Sequence, residues 1–398
     1  MDTNDILWLN LTIRWIHIIA GIAWIGASFY FNWLEGNLNR QTKSPELEGD
    51  LWAVHGGGFY HVLKLKGAPK SLPQTLHWFK WEAYLTWISG FFLLSLVYYW
   101  GADTYLIDSQ KAALSSLQAS AIGVLNLLVS WMVYDLICRS KLAHKTHWLS
   151  VIILLYFVIS AFILCQIFTG RGAYIHIGAA IGTIMAANVF MIIIPNQKAL
   201  VSALMENRLP DNKKGERALQ RSLHNNYFTL PVLFIMISNH YPMTYAHEYN
   251  WLILLCLSLI GILTRHHFNL KNRSKKNAWL LPLAGMALVA LALVSKVDKS
   301  SIQGRHDSFN TPIKFSAIKS IIKKRCATCH SENPSDDIFK IAPNGLMLDS
   351  PIQIKNMVPL IKDRVINTHS MPLANKTKMT MEERNTLEQW IISGADIN

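Results

Sequence analysis

Charge is scarce in this chain. Only 16% of its 398 residues are Asp, Glu, Lys or Arg, whereas 51% are hydrophobic. That balance leaves an ordinary soluble protein too little polar surface to solvate. Acidic residues are the scarcer sign, 25 against 38 Lys and Arg. The basic excess is broken into clusters between apolar runs and forms no continuous patch, which excludes a nucleic-acid surface and reads instead as membrane topology. Cysteine is rare too: of five, Cys138, Cys165 and Cys256 fall within or at the ends of apolar segments, so no structural disulfide is implied. A P-loop or other nucleotide signature is missing, which removes support for energy-driven transport. No basic residue precedes Ile6, so the positive n-region of a signal peptide is absent and the first apolar segment is expected to be retained.

What is abundant is apolar length. Several runs reach the roughly 20 residues needed to cross a hydrocarbon core, and about eight spans are expected: Ile6–Trp33, Trp81–Trp100, Ala113–Ile137, Trp148–Thr169, Ala173–Pro195, Tyr227–Asn239, Trp251–Thr264 and Trp279–Val294. The sixth and seventh are short, and are expected to be tilted, broken or extended into their flanks. Basic loops at Arg40 to Lys80, Arg139 to Lys145, Lys198 to Arg221 and Arg265 to Lys276 fall on alternate sides and should be cytoplasmic. The opposite loops, Gly101 to Gln110, Gly170 to Gly172 and His240 to Asn250, are poor in Lys and Arg, so an even number of spans puts both termini outside.

Near the C-terminal end stands Cys326-Ala327-Thr328-Cys329-His330. Two thiols at this spacing can add to the two vinyl groups of a porphyrin, and the next residue offers an imidazole to the iron, so the stretch reads as one covalent haem c held by Cys326 and Cys329 with His330 as axial ligand. A zinc site would need a second Cys/His pair and a thioredoxin-like pair a βαβ surround, and neither is visible. Apolar residues at helical spacing precede the stretch (Ile318, Ile321, Ile322) and recur downstream (Leu387, Trp390, Ile391), so a pair of helices is expected to enclose the group. Between them, His369-Ser370-Met371-Pro372 offers the Met371 thioether to the second axial face, with Met347, Met357, Met379, Met381 and His369 as competitors. The expected fold is therefore all-α. A polytopic membrane helical bundle (1–296) is followed by a polar linker (297–312) and a small class-I-like cytochrome c domain (313–398) on the exterior side, where covalent haem attachment belongs.

Ionisable residues also sit inside apolar runs, where they are costly enough to ask for partners. Arg14, His17, Gly21, Trp24 and Ser28 share one helical face. That face suits a second haem, of b type, with His17 on the iron, Gly21 letting the porphyrin approach and Arg14 pairing with a propionate. His176 is the candidate for the opposite axial position, although its depth of about 8 Å against about 16 Å for His17 requires tilt. The alternative is that each histidine hydrogen-bonds a neighbouring helix. In the first cytoplasmic loop, His55, three glycines and His61 precede an aromatic stretch with Glu82. Such a loop can close over a flat anion, which makes His55, His61 and Glu82 candidate site residues, or it can be an interfacial aromatic belt.

With Arg14-Trp15-Ile16-His17, Gly21 to Gly26, Trp52 to Val62, His77 to Trp87, and the fused Cys326 to His330 tail with Ser370-Met371-Pro372, the chain resembles the bacterial membrane-bound urate hydroxylases over essentially its whole length. That resemblance implies oxidation of urate to 5-hydroxyisourate at a bacterial inner membrane. It also implies electrons leaving through the cytochrome domain towards a terminal oxidase or soluble cytochrome. The first-span pattern also looks like that of membrane protoporphyrinogen oxidases, which implies haem b at His17. Two other classes compete: an electron-transfer membrane cytochrome taking electrons from quinol or a partner dehydrogenase, with no substrate site of its own, and a transporter or sensor that reports redox state.

Overall fold

The computed structural model describes residues 3–41, 44–66, 69, 72–73, 75–206, 208–273, 275, 277–295 and 313–397. The chain is mostly helical, 70% helix and 5% strand. Helix α1 (Thr3–Asn37) is followed by strands β1 (Leu47–His55) and β2 (Gly58–Leu65). Then come α2 (Trp81–Leu94, prolonged by a π turn at Ser95–Tyr99), the single turn α3 (Ala102–Tyr105), α4 (Ser116–Arg139), α5 (Thr146–Ile167) and α6 (Gly170–Ala187). A second π turn, Asn188–Ile193, joins α6 to α7 (Ile194–Met205); α8 (Asn212–Ser238), α9 (Pro242–Tyr245), α10 (Asn250–Asn272) and α11 (Leu280–Val294) complete the bundle. Each of the eight stretches expected to be helical is so. Among the described residues five helices, against the eight spans expected, are long and apolar enough to cross a membrane: Asn4–Asn37, Ser116–Arg139, Thr146–Ile167, Gly170–Met205 and Asn250–Asn272.

The bundle is built around α6. Tyr174, Ile177, Ala180, Ile181 and Met185 project into one core with Leu94, Tyr98, Leu106, Phe168, Ile235 and Leu254 from its neighbours. Small residues permit that closeness: a Cβ added at Gly178 would come 2.5 Å from Ile235 Cγ2. The helix starts where Thr169 Oγ1 accepts the Gly172 N–H at 3.0 Å. Helix α4 starts on a capping box between Ser115 and Gln118.

Two expectations change here. The glycine loop is no loop: β1 and β2 pair antiparallel with His55 opposite Gly58, turning through Gly56 and Gly57 at φ 57° and 78°. A two-residue hairpin turn of this hand needs positive φ at both positions, so those glycines serve the turn. The fold is thus helical with one hairpin, not purely α. The helices α8 and α10 also run well into segments read as basic loops, because Arg221 and Arg265 are buried against other helices at 3% and 5% exposure.

In the tail, α12 (Phe315–Arg325), α13 (Pro351–Asn356), α14 (Val358–Ile361) and α15 (Met381–Ile392) form a separate core. Ile318 and Ile322 of α12 share it with Leu387 and Trp390 of α15, and the Phe315 and Trp390 rings lie 5.8 Å apart. The tail meets the bundle at α3, where the Tyr105 and Phe339 rings stand edge to face at 6.3 Å. The expected linker, 297–312, lies outside the described residues.

Replacing Gly178 by Val should cost about 1–3 kcal/mol through overpacking. Gly182→Ala, with open space around its added Cβ, should leave stability unchanged or slightly raised. Thermal melts of the two variants in detergent check this.

Candidate functional site

The tail site grows out of the end of α12. The Cys326 N–H still bonds Ile322 O at 2.8 Å, and the Cys329 and His330 N–H groups turn back onto Cys326 O at 3.1 and 2.9 Å. One tight turn therefore carries both thiols and the imidazole. His330 Nδ1 lies 3.1 Å from Leu346 O. A carbonyl only accepts, so the proton is on Nδ1 and Nε2 keeps its lone pair for a metal. Cys326 and Met371 pack against the same apolar core, and Met371 is held at both backbone ends: its N–H donates to Arg364 O at 2.9 Å and its carbonyl accepts from Arg384 Nη1 at 2.8 Å.

The competitors separate by placement. Met379 is 3% exposed within the core, and Met381 is 58% exposed on the outside of α15, so packing and solvent claim them. His369 sits at φ 49°, and burial and the nearby Arg384 charge push its imidazole pKa down. Burial likewise lowers that of His330, against the opposing pull of Leu346 O. Both changes favour neutral imidazole. The donor set of Cys326, Cys329, His330 and Met371 fits a covalently held haem. Among the described residues no cluster of three or more His, Cys, Asp or Glu could hold a metal ion instead.

Around the site, Arg325 Nε bridges both Glu383 oxygens at 3.0 and 2.9 Å, tying α12 to α15. Asp336 accepts from Lys376 Nζ at 2.8 Å and from the Ile338 and Phe339 N–H groups at 2.9 and 3.0 Å. Burial opposes its ionisation, but Lys376 and the two N–H groups outweigh that and hold its carboxyl down to about 2.

In the bundle, His17 Nδ1 donates to Thr86 O at 3.0 Å and lies 3.1 Å from Ser89 Oγ. Gly21 abuts Thr86, so the shared face of α1 is packed on α2. Arg14 turns to Asn10 Oδ1 at 3.1 Å. His176 is fully buried; its Nδ1 donates to Gly172 O at 2.8 Å, while its Nε2 and the Tyr99 hydroxyl have no hydrogen-bond partner. Both point at Gly123, where an added Cβ would lie 2.5 and 2.9 Å from them.

The structure does not bring His17 and His176 together. One sits beside Ser89 and Gly90 of α2 and the other beside Tyr99, about 13 Å further along at the helical rise. With α2 filling the His17 face and Gly123 against His176 Nε2, a porphyrin shared by these two histidines does not fit. Three- and four-residue spacing on α1 reflects helix packing. His55 and His61 lie on the exposed hairpin, His61 stacked on Trp52 at 4.1 Å and bonded to Asp50 at 2.9 Å. Glu82, in the first turn of α2, carries a buried Oε2 with no partner, so the three candidate residues are not shown assembled into one site.

The family model described as urate oxidase N-terminal matches residues 4–296. The chain belongs to the urate oxidase N-terminal family. No curated protein and no solved structure matches it. Membership of the urate oxidase N-terminal family gives the chain a urate-related function of the oxidoreductase kind. The matched stretch takes in the hairpin and every helix from α1 to α11, and ends before the tail core.

Sequence reasoning missed Tyr99 and Gly123; a glycine inside an apolar helix was their available signal.

Because Asp336 has its pKa below the unfolded value of about 4, its stabilising contribution is complete above that pH. It is lost as pH falls through about 2. The melting temperature of the tail should therefore exceed that of Asp336→Asn at pH 6, and the gap should close towards pH 2. Calorimetry of the full chain across that range measures it.

Proposed function

We propose that the protein is a membrane-bound urate hydroxylase that oxidises urate to 5-hydroxyisourate and delivers the electrons, by way of haem c in the tail, to a terminal oxidase or soluble cytochrome. The balance is urate plus water giving 5-hydroxyisourate, two protons and two electrons. The observation that carries the reading is the presence in one chain of a urate-family bundle and a Cys326 to His330 turn whose imidazole is already oriented by Leu346 O.

Cys326 and Cys329 would hold the haem covalently, and His330 Nε2 and Met371 Sδ would bind its iron. A haem held there supplies one-electron acceptor chemistry. The remaining work falls to the chain. Glu82 is the candidate proton acceptor inside the bundle, and its unpartnered Oε2 suits it to take a proton as water adds. Arg364 and Arg384 position Met371 through its backbone. Between core and tail, aromatic rings follow one another from His176 to Tyr98, Tyr105 and Phe339 at centroid steps of 6.1, 6.2 and 6.3 Å. This continuity supports passage of electrons outward.

Placement at a bacterial inner membrane with the tail outside rests on the charge pattern. The contact of the tail with Tyr105, in the loop poor in Lys and Arg, agrees with it.

Urate added to the purified chain under nitrogen should reduce the tail pigment and yield 5-hydroxyisourate in proportion to the acceptor supplied. Turnover only with dissolved oxygen, and a pigment that stays oxidised, would end this reading; reduction by quinol but not by urate would favour the electron-transfer cytochrome. Met371→His should lower the midpoint potential by on the order of 100 mV or more, within the roughly 0.8 V range that axial ligands command, and a redox titration reads it.

A further inference from the structure

Arg265 is a buried cation with no counter-charge. It lies on α10, 5% exposed, and none of the ion pairs among the described residues includes it. Its Nε donates to Asn226 Oδ1 of α8 at 2.5 Å. Arginine only donates, so this contact fixes which end of the Asn226 amide is oxygen. The other end, Nδ2, then donates to Asn269 Oδ1 at 3.0 Å, which in turn fixes the Asn269 amide.

Two atoms are left over, Arg265 Nη2 and Asn269 Nδ2, both buried and both without a hydrogen-bond partner. Each is a donor. They stand one helical turn apart on α10. The Phe29 ring of α1 covers the guanidinium, with Arg265 Cζ 3.8 Å from its centroid. Buried donors and an unpaired buried charge are both unfavourable when left alone, and these all require the same complement, a negatively charged acceptor.

We propose that Arg265 and Asn269, positioned by Asn226 and flanked by Phe29, bind the urate monoanion, an oxopurine anion whose ring nitrogens and carbonyl oxygens offer acceptors side by side in one plane. This rests on the function proposed above and assigns its substrate site. With Nε committed to Asn226, the unpartnered Arg265 Nη2 and Asn269 Nδ2 are the donors left for in-plane acceptors of that kind, and a lysine ammonium would not reproduce the planar guanidinium. Phe29 covers the guanidinium face, so a ligand meets the guanidinium at its edge. Arg265 is seven residues from the last residue of α10, about 10 Å of rise, on the side that the basic loops mark as cytoplasmic. Its near-complete burial keeps it from a lipid phosphate at the surface.

The test measures binding of radiolabelled urate, under nitrogen and without turnover, to the full chain in nanodiscs. It uses the parent protein with Arg265→Gln, Arg265→Lys and Asn269→Asp. Arg265→Gln should weaken binding at least tenfold and Arg265→Lys at least fivefold. Asn269→Asp places a carboxylate beside the guanidinium and should abolish binding. Urate should raise the melting temperature of the parent and leave that of Asn269→Asp unmoved. Without urate, Asn269→Asp should melt no lower than the parent, since it pairs an otherwise isolated charge, so loss of urate binding in this variant reports on the site and not on the fold.

Unchanged urate affinity in folded Asn269→Asp and Arg265→Lys would overturn the assignment while leaving the hydroxylase reading intact. A parent that neither binds nor oxidises urate would instead defeat that reading. Stabilisation of the parent by inorganic phosphate or by anionic-lipid nanodiscs, with no response to urate, would assign the site to another anion and overturn the proposal.

Discussion

A polar group buried among apolar helices finds no water to hydrogen-bond, and that constraint organises the bundle, whose longest helices are apolar enough to cross a membrane. Where α4, the π turn after α6, and α8 meet, the chain satisfies it internally. Arg221 donates to Asp135 Oδ1 at 2.7 Å and Asn188 Oδ1 at 3.2 Å, Asn188 Nδ2 donates to Asn225 Oδ1 at 2.9 Å and Tyr134 at 3.0 Å, and Tyr134 meets His224 at 2.8 Å. Every one of these groups has a partner, so the cluster reads as a clasp between helices. Against that background the unpartnered atoms stand out. Among the described residues they lie at Arg265 with Asn269, at His176 with Tyr99, at Glu82 and at Thr104. A protein that closes one polar network so fully leaves others open where something else completes them.

The tail obeys a different solvent. Its ion pairs, Arg325 with Glu383 and Lys376 with Asp336, are largely shielded from water, so each carboxylate relies on its cation and on backbone N–H groups to stay ionised. What they position matters more than what they stabilise: the Arg325–Glu383 pair fixes the end of α12, from which the two thiols and His330 follow within one turn.

The helical character of the apolar runs was legible because runs of that length have few other fates. The tight turn at Cys326 to His330 was legible as a place where two thiols and an imidazole come close together in sequence. The rest failed for physical reasons. Hydropathy averages over a window, so Arg221, ion-paired with Asp135 across the bundle, and Arg265, hydrogen-bonded to Asn226, both looked like loop charges. The hairpin was hidden because three consecutive glycines announce conformational freedom without saying which turn uses it. The step from Arg14 through His17 to Gly21 did mark a functional-looking face, but helix packing and ligand binding write the same period on a helix. His330 gains its orientation from Leu346, sixteen residues on, and no local pattern carries that.

The hydroxylase reading also gives a reason for joining two units in one chain. Oxidation of urate releases protons and electrons that must part company: protons to groups such as Glu82, electrons towards the tail. The contact between them includes Tyr105 against Phe339 and α3 against Leu373–Asn375. In one polypeptide the second unit is present at an effective concentration of order millimolar, so on that reading electrons would reach the tail without waiting for two separate partners to meet.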